Sequence, residues 1–245
     1  MADYLLVNLN NTSTKLALSD RDRLLRKKVI PTRTLSVEAL RRAIGGWKFE
    51  SAVVGSVVPR KTGVLRRMFR GRLLELTPRL NLGIGIDFPE PDNIGADRLA
   101  NAVGVVHRHG APAIVVDFGT AVTFDIVSQE RTYLGGVIAP GLGVMTDYLY
   151  DRTALLPRID LEEPVQVIGK STRAAMLAGA VYGYRGLVRQ IVTEIVAQLA
   201  GKAKIVATGS YAALIAAKLP ELQIVDPDLT LEGLRIIASQ NPLGS

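Results

Sequence analysis

Residues 113–128 read AIVVDFGTAVTFDIVS, an apolar run followed by a small polar turn and a second run rich in β-forming residues. This pattern predicts a β-hairpin whose tight turn carries polar side chains. Residues 4–19, YLLVNLNNTSTKLALS, repeat the pattern at an offset of 109, which aligns Asn8 with Asp117. Two such hairpins, each opening an α/β segment, predict a duplicated domain with a cleft between the halves.

The same offset aligns Thr14 with Thr123, and the rest of the chain alternates strand and helix patterns, which favours an α/β fold. We expect halves at 1–112 and 113–245, with the final helix allowed to pack back on the first half. The loop 78–95, rich in Pro, Gly and Asn, is the candidate flexible or active-site loop. The expected helices are 35–45, 59–71, 96–109, 171–200 (with a break near Gly183–Gly186), 210–218 and 230–239, and the expected strands are 51–57, 72–77, 133–139, 203–207 and 222–225.

Composition excludes several classes of protein. The 245 residues are 48% hydrophobic and 22% charged, as in an ordinary folded domain, and the absence of cysteine excludes a disulfide framework and a cysteine nucleophile. His107 and His109 suit a helix end better than a metal pair. No apolar run approaches the roughly 18 residues of a membrane span, and the start lacks a signal-peptide pattern. We therefore expect a cytoplasmic protein that does not bind a membrane.

The formal charge of +7 favours acidic partners such as nucleotides or phosphorylated metabolites. Residues 21–72 contain 15 Lys or Arg against 3 acids. Three interpretations are open: a solvated surface, an anion-attracting face near a phosphate site, and a nucleic-acid groove. The last is the weakest because aromatic stacking residues are scarce there, so nucleic acid is not an expected partner.

Two short segments carry the chemistry. In Asp117–Asp125, the turn amides and the Thr120 hydroxyl could bind a phosphate, and Asp117 could hold a cation. The competing interpretation is an ordinary hairpin with an aspartate near its turn. In Gly95-Ala96-Asp97-Arg98, the carboxylate could accept a hydroxyl proton and the guanidinium could bind an anionic substrate. The competing interpretation is that Asp97 only caps or supports the start of a helix.

Two glycine-containing segments could accompany these. Residues 134–143 have four glycines, which would let the backbone approach a ligand or merely form a tight turn. Gly209 follows a strand and precedes a helix, so its amide could face an anion or belong to a simple turn.

In this order and spacing, Gly95–Arg98, Asp117–Asp125 and Gly135–Gly141 resemble the type III pantothenate kinases. Further matches include Thr172 at a helix start and Thr208-Gly209. The resemblance covers nearly the whole chain and implies two RNase-H-like, actin-like ATPase halves that bind ATP. It also implies a homodimer with pantothenate bound near the subunit interface.

The resemblance assigns roles residue by residue. Asp97 would be the general base for the primary hydroxyl of pantothenate, and Asp117 would hold a monovalent cation, K⁺ or NH₄⁺. Thr120 would contact the phosphates of ATP. Phe88 stands where the family usually has tyrosine. The pantothenate site would comprise Phe88, Gly95, Ala96, Asp97, Arg98 and Thr172.

The first hairpin departs from the family pattern, Asp-x-Gly-Asn-Thr or Ser. It would be the other phosphate loop, formed by Asn8, Asn10, Asn11, Thr12 and Lys15. Asn11 and Thr12 match the pattern, whereas Asn8 replaces the Asp that helps to organise Mg²⁺ and Asn10 replaces the Gly. Asn10 tolerates a left-handed backbone but fills space near the phosphates.

Three functions follow from these residues. The first is ATP-dependent phosphorylation of pantothenate with Mg²⁺ and K⁺. The second is a degenerate family member that binds nucleotide or pantothenate and acts as a regulator with little turnover, which the Asn8 and Asn10 substitutions favour. The third is a kinase or phosphatase for another small hydroxylated acid, which the retained Gly95–Arg98 segment and Thr172 disfavour.

Overall fold

The computed structural model describes residues 2–199 and 201–243, so the predicted helix end at Ala200 and the extreme ends of the predicted halves lie outside the described residues. The chain divides into two compact units. The first contains the chain up to Arg108, Arg131–Tyr133 and the chain from Asp228 onward. The second contains His109–Glu130 and Leu134–Pro227. A domain boundary between residues 112 and 113 stays a prediction.

Strands and helices alternate along most of the chain, as the sequence pattern predicts. In chain order the elements are β1 (Ala2–Leu9), β2 (Ser13–Ser19), β3 (Leu24–Pro31), α1 (Val37–Ile44), β4 (Phe49–Ser56), α2 (Pro59–Met68), β5 (Leu73–Glu75), β6 (Gly85–Ile86), α3 (Ala96–Arg108), β7 (Ala113–Phe118), β8 (Ala121–Val127), β9 (Thr132–Pro140), α4 (Leu142–Arg152), α5 (Thr172–Gln198), β10 (Lys204–Gly209), α6 (Ala212–Ala216), β11 (Ile224–Val225) and α7 (Leu229–Gln240).

The two units repeat one sheet topology. The first sheet has the order β3-β2-β1-β4-β5, and the second contains β9-β8-β7-β10-β11 in the equivalent order. In each, an antiparallel hairpin is followed by a strand that pairs in parallel with the first strand of the hairpin. The additional strand β6 pairs with the first residues of β9. The predicted α/β fold with two duplicated halves is confirmed.

Strand register corrects one predicted correspondence. Asn8 pairs with Lys15 across the first hairpin, whereas Asp117 pairs with Thr123 across the second. The second turn is therefore one residue shorter. Asn8 and Asp117 remain equivalent, but Thr123 corresponds to Lys15, so the predicted match of Thr14 with Thr123 is wrong.

Each unit has its own apolar core. In the first unit, α1 begins after Ser36, whose Oγ accepts a hydrogen bond from the backbone N–H of Ala39 at 3.1 Å. The helix then buries Leu40, Ala43 and Ile44 against the sheet. In the second unit, the long helix α5 packs its buried side chains on the sheet. The predicted break near Gly183–Gly186 is wrong, because α5 is continuous.

No helix within residues 2–199 and 201–243 combines the length and the apolarity that crossing a membrane requires.

A buried arginine fixes the long connection between α4 and α5. Arg185 is 4% exposed and donates hydrogen bonds to both carboxylate oxygens of Glu163, at 3.1 and 2.6 Å. Its guanidinium also donates to the backbone carbonyls of Leu214 and Ile215. Lys218 lies 2.9 Å from Glu163. The hydrogen bond from Arg185 is the main reason why the pKa of Glu163 falls from its ordinary 4.5 to about 2.

This lowered pKa predicts a stability change in acid. A carboxyl group whose pKa is lower in the folded state stabilises the fold above its unfolded-state pKa, and that stability is lost as the pH falls from about 4.5 to about 2. We expect the free energy of unfolding of Glu163→Gln to be lower than wild type near neutral pH and flatter across this window. Urea unfolding at several pH values measures it. The exposed neighbour Glu162→Gln should follow the wild-type curve.

Candidate active site

The turn of the first hairpin presents two amide oxygens that the protein leaves unused. Asn8 is 1% exposed at the end of β1, and its Oδ1 atom accepts no hydrogen bond within the described residues. The Oδ1 atom of Asn10 is also buried and unpartnered there. Since buried polar atoms are nearly always satisfied, two orphaned oxygens in one turn indicate a site for a bound group.

Thr32 holds this turn in place. Its Oγ1 donates to the backbone carbonyl of Asn10 at 2.6 Å and lies 2.9 Å from Oγ1 of Thr14. Its backbone N–H donates to the carbonyl of Thr12 at 3.0 Å. Asn11 and Thr12, at the tip of the turn, are exposed. Thr32 is thus a supporting residue of the predicted phosphate loop that the hairpin motif alone does not reveal.

Lys15 lies directly opposite Asn8 on β2, so the two side chains share one face of the sheet. Lys15 is half-buried and has no ion pair within the described residues. The turn therefore combines a cation with two amide oxygens and the exposed Thr12 hydroxyl, a set suited to a phosphate and its counter-ion.

The backbone of Asn10 is not left-handed, although asparagine would tolerate that conformation. Among the described residues, Arg131 is the only one other than glycine with a positive φ. The Asn10 backbone is therefore not strained, and only the volume of its side chain distinguishes it from the family glycine.

Asp97 lies in the first turn of α3 and is not its cap. The helix begins at Ala96, and the Asp97 Oδ1 atom accepts a hydrogen bond from the backbone N–H of Arg98 at 2.9 Å. The side chain is half-buried. The carboxylate is thus held at a helix start by a backbone hydrogen bond and is only partly buried, which suits a proton acceptor.

The start of α3 lies at the carboxyl ends of β1 and β4, next to the hairpin. Gly55 pairs with Asn8, and a Cβ atom placed on Gly55 would lie 3.8 Å from the Cβ of Ala96. A Cβ placed on Gly95 would lie 3.5 Å from the Cγ1 of Val57. The first unit therefore brings the predicted phosphate loop and the Gly95–Arg98 segment to one edge of the sheet.

Tyr133 contacts two of the predicted site residues, and the motifs do not reveal it. The Arg98 guanidinium carbon lies 5.8 Å from the centre of the Tyr133 ring, and the Phe88 ring lies 6.4 Å from it in a tilted arrangement. Tyr133 is fully buried. The backbone N–H of Asp87 donates to its carbonyl at 2.9 Å. Tyr133 therefore positions both Phe88 and Arg98, and all three belong to the first unit.

In the second unit, two glycines let backbone pack against the Asp117–Thr120 turn. A Cβ on Gly141 would overlap the carbonyl oxygen of Thr120, and the Gly141 N–H donates to that oxygen at 3.0 Å. Gly209 has a φ of 92°, and a Cβ there would lie 2.6 Å from Oδ1 of Asp117. Thr120 itself is exposed at the turn, as a phosphate ligand requires.

Asp117 has a second oxygen donor beside it. Thr208 pairs with Asp117 in parallel register, so their side chains share a face. Thr208 is 1% exposed, and its Oγ1 atom has no hydrogen-bond partner within the described residues. A carboxylate beside an orphaned hydroxyl is an all-oxygen donor set, which fits an alkali cation better than a transition metal.

Thr172 is the first residue of α5, as the sequence predicts, and it is exposed. The cap is the preceding Ser171, whose Oγ accepts a hydrogen bond from the N–H of Ala174 at 3.2 Å. The Thr172 hydroxyl therefore does not cap the helix. The structure places Thr172, Asp117 and Thr120 in the second unit and the other predicted site residues in the first.

The two histidines do not form a metal pair. Nε2 of His109 lies 2.9 Å from Oδ2 of Asp226, and burial lowers the pKa of His107 with smaller contributions from Arg131 and Arg235. The described residues contain no group of three or more His, Cys, Asp or Glu side chains arranged for a metal ion.

Solved structures define the class of fold. The chain is similar to a conserved Baf family transcriptional activator from Campylobacter jejuni, with a TM-score of 0.61, 19% identity and coverage of 97% of this chain and 98% of that one. The comparison with a 2-dehydro-3-deoxygalactonokinase protein from Sinorhizobium meliloti gives a TM-score of 0.60 and 16% identity. It covers 99% of this chain and 98% of that one. The comparison with MreB 5 of Spiroplasma citri gives a TM-score of 0.56 and 10% identity, and it covers 96% of each chain. The fold is that of the actin-like ATPases and sugar kinases.

Sequence comparison defines the family. The model of the type III pantothenate kinase family matches residues 4–194. A type III pantothenate kinase from Akkermansia muciniphila is 51% identical over 239 residues, which are 97% of this chain and 99% of the relative. One from Methylacidiphilum infernorum is 43% identical over 235 residues, 95% and 87% of the two chains. The chain belongs to the type III pantothenate kinase family.

Proposed function

We propose that this protein transfers the γ-phosphate of ATP to pantothenate, giving 4′-phosphopantothenate in the first step of coenzyme A biosynthesis. The observation that carries the proposal is the convergence of the Asn8–Thr12 loop and Asp97 at one edge of the first sheet. In a member of this family, that edge supplies both a phosphate loop and a proton acceptor.

Asp97 accepts the proton of the primary hydroxyl of pantothenate. The hydroxyl oxygen forms a bond to the γ-phosphorus of ATP as the bond from that phosphorus to the bridging β-oxygen breaks, which leaves ADP. Arg98, positioned over Tyr133, binds the pantothenate carboxylate or amide oxygens. Phe88, Gly95, Ala96 and Thr172 complete the pantothenate site.

The phosphates of ATP contact the polar turns. Asn11, Thr12 and Thr120 are exposed and supply hydroxyl, amide and backbone donors, and Lys15 supplies a positive charge. These donors stabilise the negative charge on the transferring phosphoryl group.

Two cations fit the donor atoms present. The orphaned oxygens of Asn8 and Asn10 suit Mg²⁺, and Asp117 with Oγ1 of Thr208 suits K⁺ or NH₄⁺. When bound, these ions neutralise charge on the phosphates. Asn8 contributes only a dipole where the family has a carboxylate, so we propose that this chain holds Mg²⁺ less tightly.

A homodimer would cover an apolar face of the second unit. Helix α4 exposes Val144, Met145, Tyr148, Leu149 and Tyr150, each at least 40% accessible. Several exposed apolar residues on one short helix are typical of an interface. We propose that a second copy of the chain covers it, and sedimentation measures the oligomeric state.

The substrate assignment is tested with a panel of small hydroxylated acids in a coupled assay that follows ADP formation. Pantothenate should give a kcat/KM at least tenfold above pantoate and other hydroxy acids. A different preferred acid in the panel would replace pantothenate as the substrate and leave the kinase reaction in place.

Asn8→Asp should restore the missing charge near Mg²⁺. We expect nucleotide binding to become about tenfold tighter in magnesium, about 1.4 kcal/mol, because a carboxylate attracts the ion where an amide offers only a dipole. Calorimetric titration of ATP at several magnesium concentrations measures the change, and the rate should rise with it.

Asn10→Gly serves as the comparison variant, since it removes the other proposed oxygen ligand of Mg²⁺ and opens space at the same turn without adding charge. It should change nucleotide affinity without steepening the magnesium dependence. If Asn8→Asp alters neither magnesium dependence nor rate, Asn8 does not lie near the phosphates.

A further inference from the structure

The first unit has a cavity of about 430 Å³ that none of the predicted site residues line. Its volume falls within the roughly 300–1,000 Å³ typical of small-molecule sites. Three of its lining residues are cationic and none is acidic. The lining consists of Arg41, Ile44, Trp47, Lys48, Phe49, Met68, Phe69 and Arg72.

The cavity lies far from the candidate active site. Phe49 begins β4, and Gly55, which packs near Ala96, lies at its other end. At about 3.3 Å per residue, the length of β4 separates the two regions by roughly 20 Å. A ligand in the cavity would therefore not be the pantothenate or the ATP of the proposed reaction.

Arg72 is held as a preformed anion ligand. Its guanidinium carbon lies 5.2 Å from the Phe49 ring centre and 5.7 Å from that of Phe69. The two rings contact each other edge to face, and Phe69 accepts a backbone hydrogen bond from Arg72. Arg72 has no ion pair within the described residues. Arg72 is exposed, so its guanidinium can rest on the two rings and still donate hydrogen bonds to a planar or tetrahedral anion.

Arg41 and Lys48 add charge at the rim. Both are exposed, and neither forms a salt bridge within the part of the chain that the structure describes. Hydrogen bonds from its own backbone N–H and from Ser36 lower the pKa of Glu38, and the charge of Arg41, one turn later on α1, lowers it slightly further. Glu38 does not line the cavity. The lining therefore carries three positive charges and no carboxylate, which favours an anionic ligand.

Trp47 gives the cavity an aromatic surface. It is half-buried beside the first core, whereas Phe49 and Phe69 are 8% and 1% exposed and serve mainly to hold Arg72. An accessible indole beside clustered cations matches a ligand with a planar ring and a phosphate. We propose that this cavity binds a nucleotide-class ligand, its ring against Trp47 and its phosphate on Arg72, Arg41 and Lys48.

A free mononucleotide suits the cavity better than a nucleic-acid strand. Strand binding uses several accessible aromatic rings along a basic groove, and here Trp47 is the one lining ring that is more than marginally exposed. The three cationic residues, Arg41, Lys48 and Arg72, line one cavity.

Trp47 is the only tryptophan of the chain, so its fluorescence reports on this cavity. Titration with AMP should produce a saturable change in the fluorescence of Trp47. Adenosine has only the ring and inorganic phosphate only the anion, so each should bind at least tenfold more weakly than AMP. Arg72→Gln and Lys48→Gln should each weaken AMP binding, the former by tenfold or more. Unfolding midpoints of both variants verify that the fold is intact, and Lys48 is an exposed residue whose substitution should cost little stability.

Arg42→Gln is the matched control, because it removes the same charge from the neighbouring position on α1 without lining the cavity. It should bind AMP like wild type. The proposal is overturned if AMP gives no saturable change, if Arg42→Gln and Arg72→Gln weaken binding equally, or if a short single-stranded oligonucleotide binds while AMP does not.

Discussion

Asp97→Asn is expected to lower kcat for pantothenate phosphorylation by about 10²-fold or more, about 2.7 kcal/mol in activation free energy. The amide cannot accept the hydroxyl proton. Its Oδ1 atom can still accept the hydrogen bond from the Arg98 N–H, so the start of α3 should remain folded. Steady-state kinetics and thermal unfolding of the same preparation measure both effects.

Asp92→Asn is the control for this result. Asp92 is an exposed acid five residues upstream, and its ion pair with Arg79 is largely solvated. Loss of that pair should change stability by less than about 1 kcal/mol and leave kcat unchanged. An Asp97→Asn enzyme with wild-type kcat would remove Asp97 from the mechanism and restore its interpretation as a first-turn helix residue.

Gly233→Ala is expected to lower the free energy of unfolding by about 3 kcal/mol, a large part of the stability of an ordinary domain. A Cβ there would overlap the carbonyl oxygen of Ala100 and lie 2.6 Å from its carbonyl carbon. The obstruction is backbone, so α3 and α7 must separate. Their buried hydrogen bond from Thr230 to Asn101, at 2.7 Å, would be strained as well. Urea unfolding measures the loss.

Gly179→Ala tests the same substitution in open space. Gly179 is an exposed position of α5, and among the described residues nothing beyond its own stretch of helix lies within 4 Å of a Cβ built there. Alanine should stabilise the helix by about 0.5–1 kcal/mol, because it restricts the unfolded chain more than glycine does. If Gly233→Ala is as stable as Gly179→Ala, α3 and α7 do not pack as closely as described.

The fold was predictable where burial imposes a clear period. The hairpins and the long helices follow their apolar patterns, and their repetition predicts the duplicated topology. The sequence does not predict strand β3, because most of its side chains are exposed and no alternating apolar pattern results. The strand lies at the edge of the sheet and includes Arg26, Lys27 and Lys28. The sequence does not predict helix α4 either, because only Leu142 and Thr146 are buried and two positions give too weak a helical pattern.

The sequence predicts individual residues of the candidate site, but it does not predict the contacts that hold them in place. The Gly95–Arg98 motif identifies Asp97 and Arg98, yet no local pattern indicates that Tyr133, from a distant strand, supports Arg98 and Phe88. Thr32 braces the first hairpin from beyond the end of β3. Such supporting contacts depend on tertiary packing between segments far apart in sequence, and a motif describes only one segment.

Transfer of labelled phosphate from ATP to pantothenate by the wild-type protein, in Mg²⁺ and K⁺, is the most direct test of the proposed reaction. The expected product carries the label on the primary hydroxyl of pantothenate, forms over many turnovers, and is reduced about 10²-fold or more by Asp97→Asn. Binding of ATP and pantothenate without labelled product, in an enzyme whose folded state is verified, would contradict the kinase and leave a protein that binds both ligands without turnover.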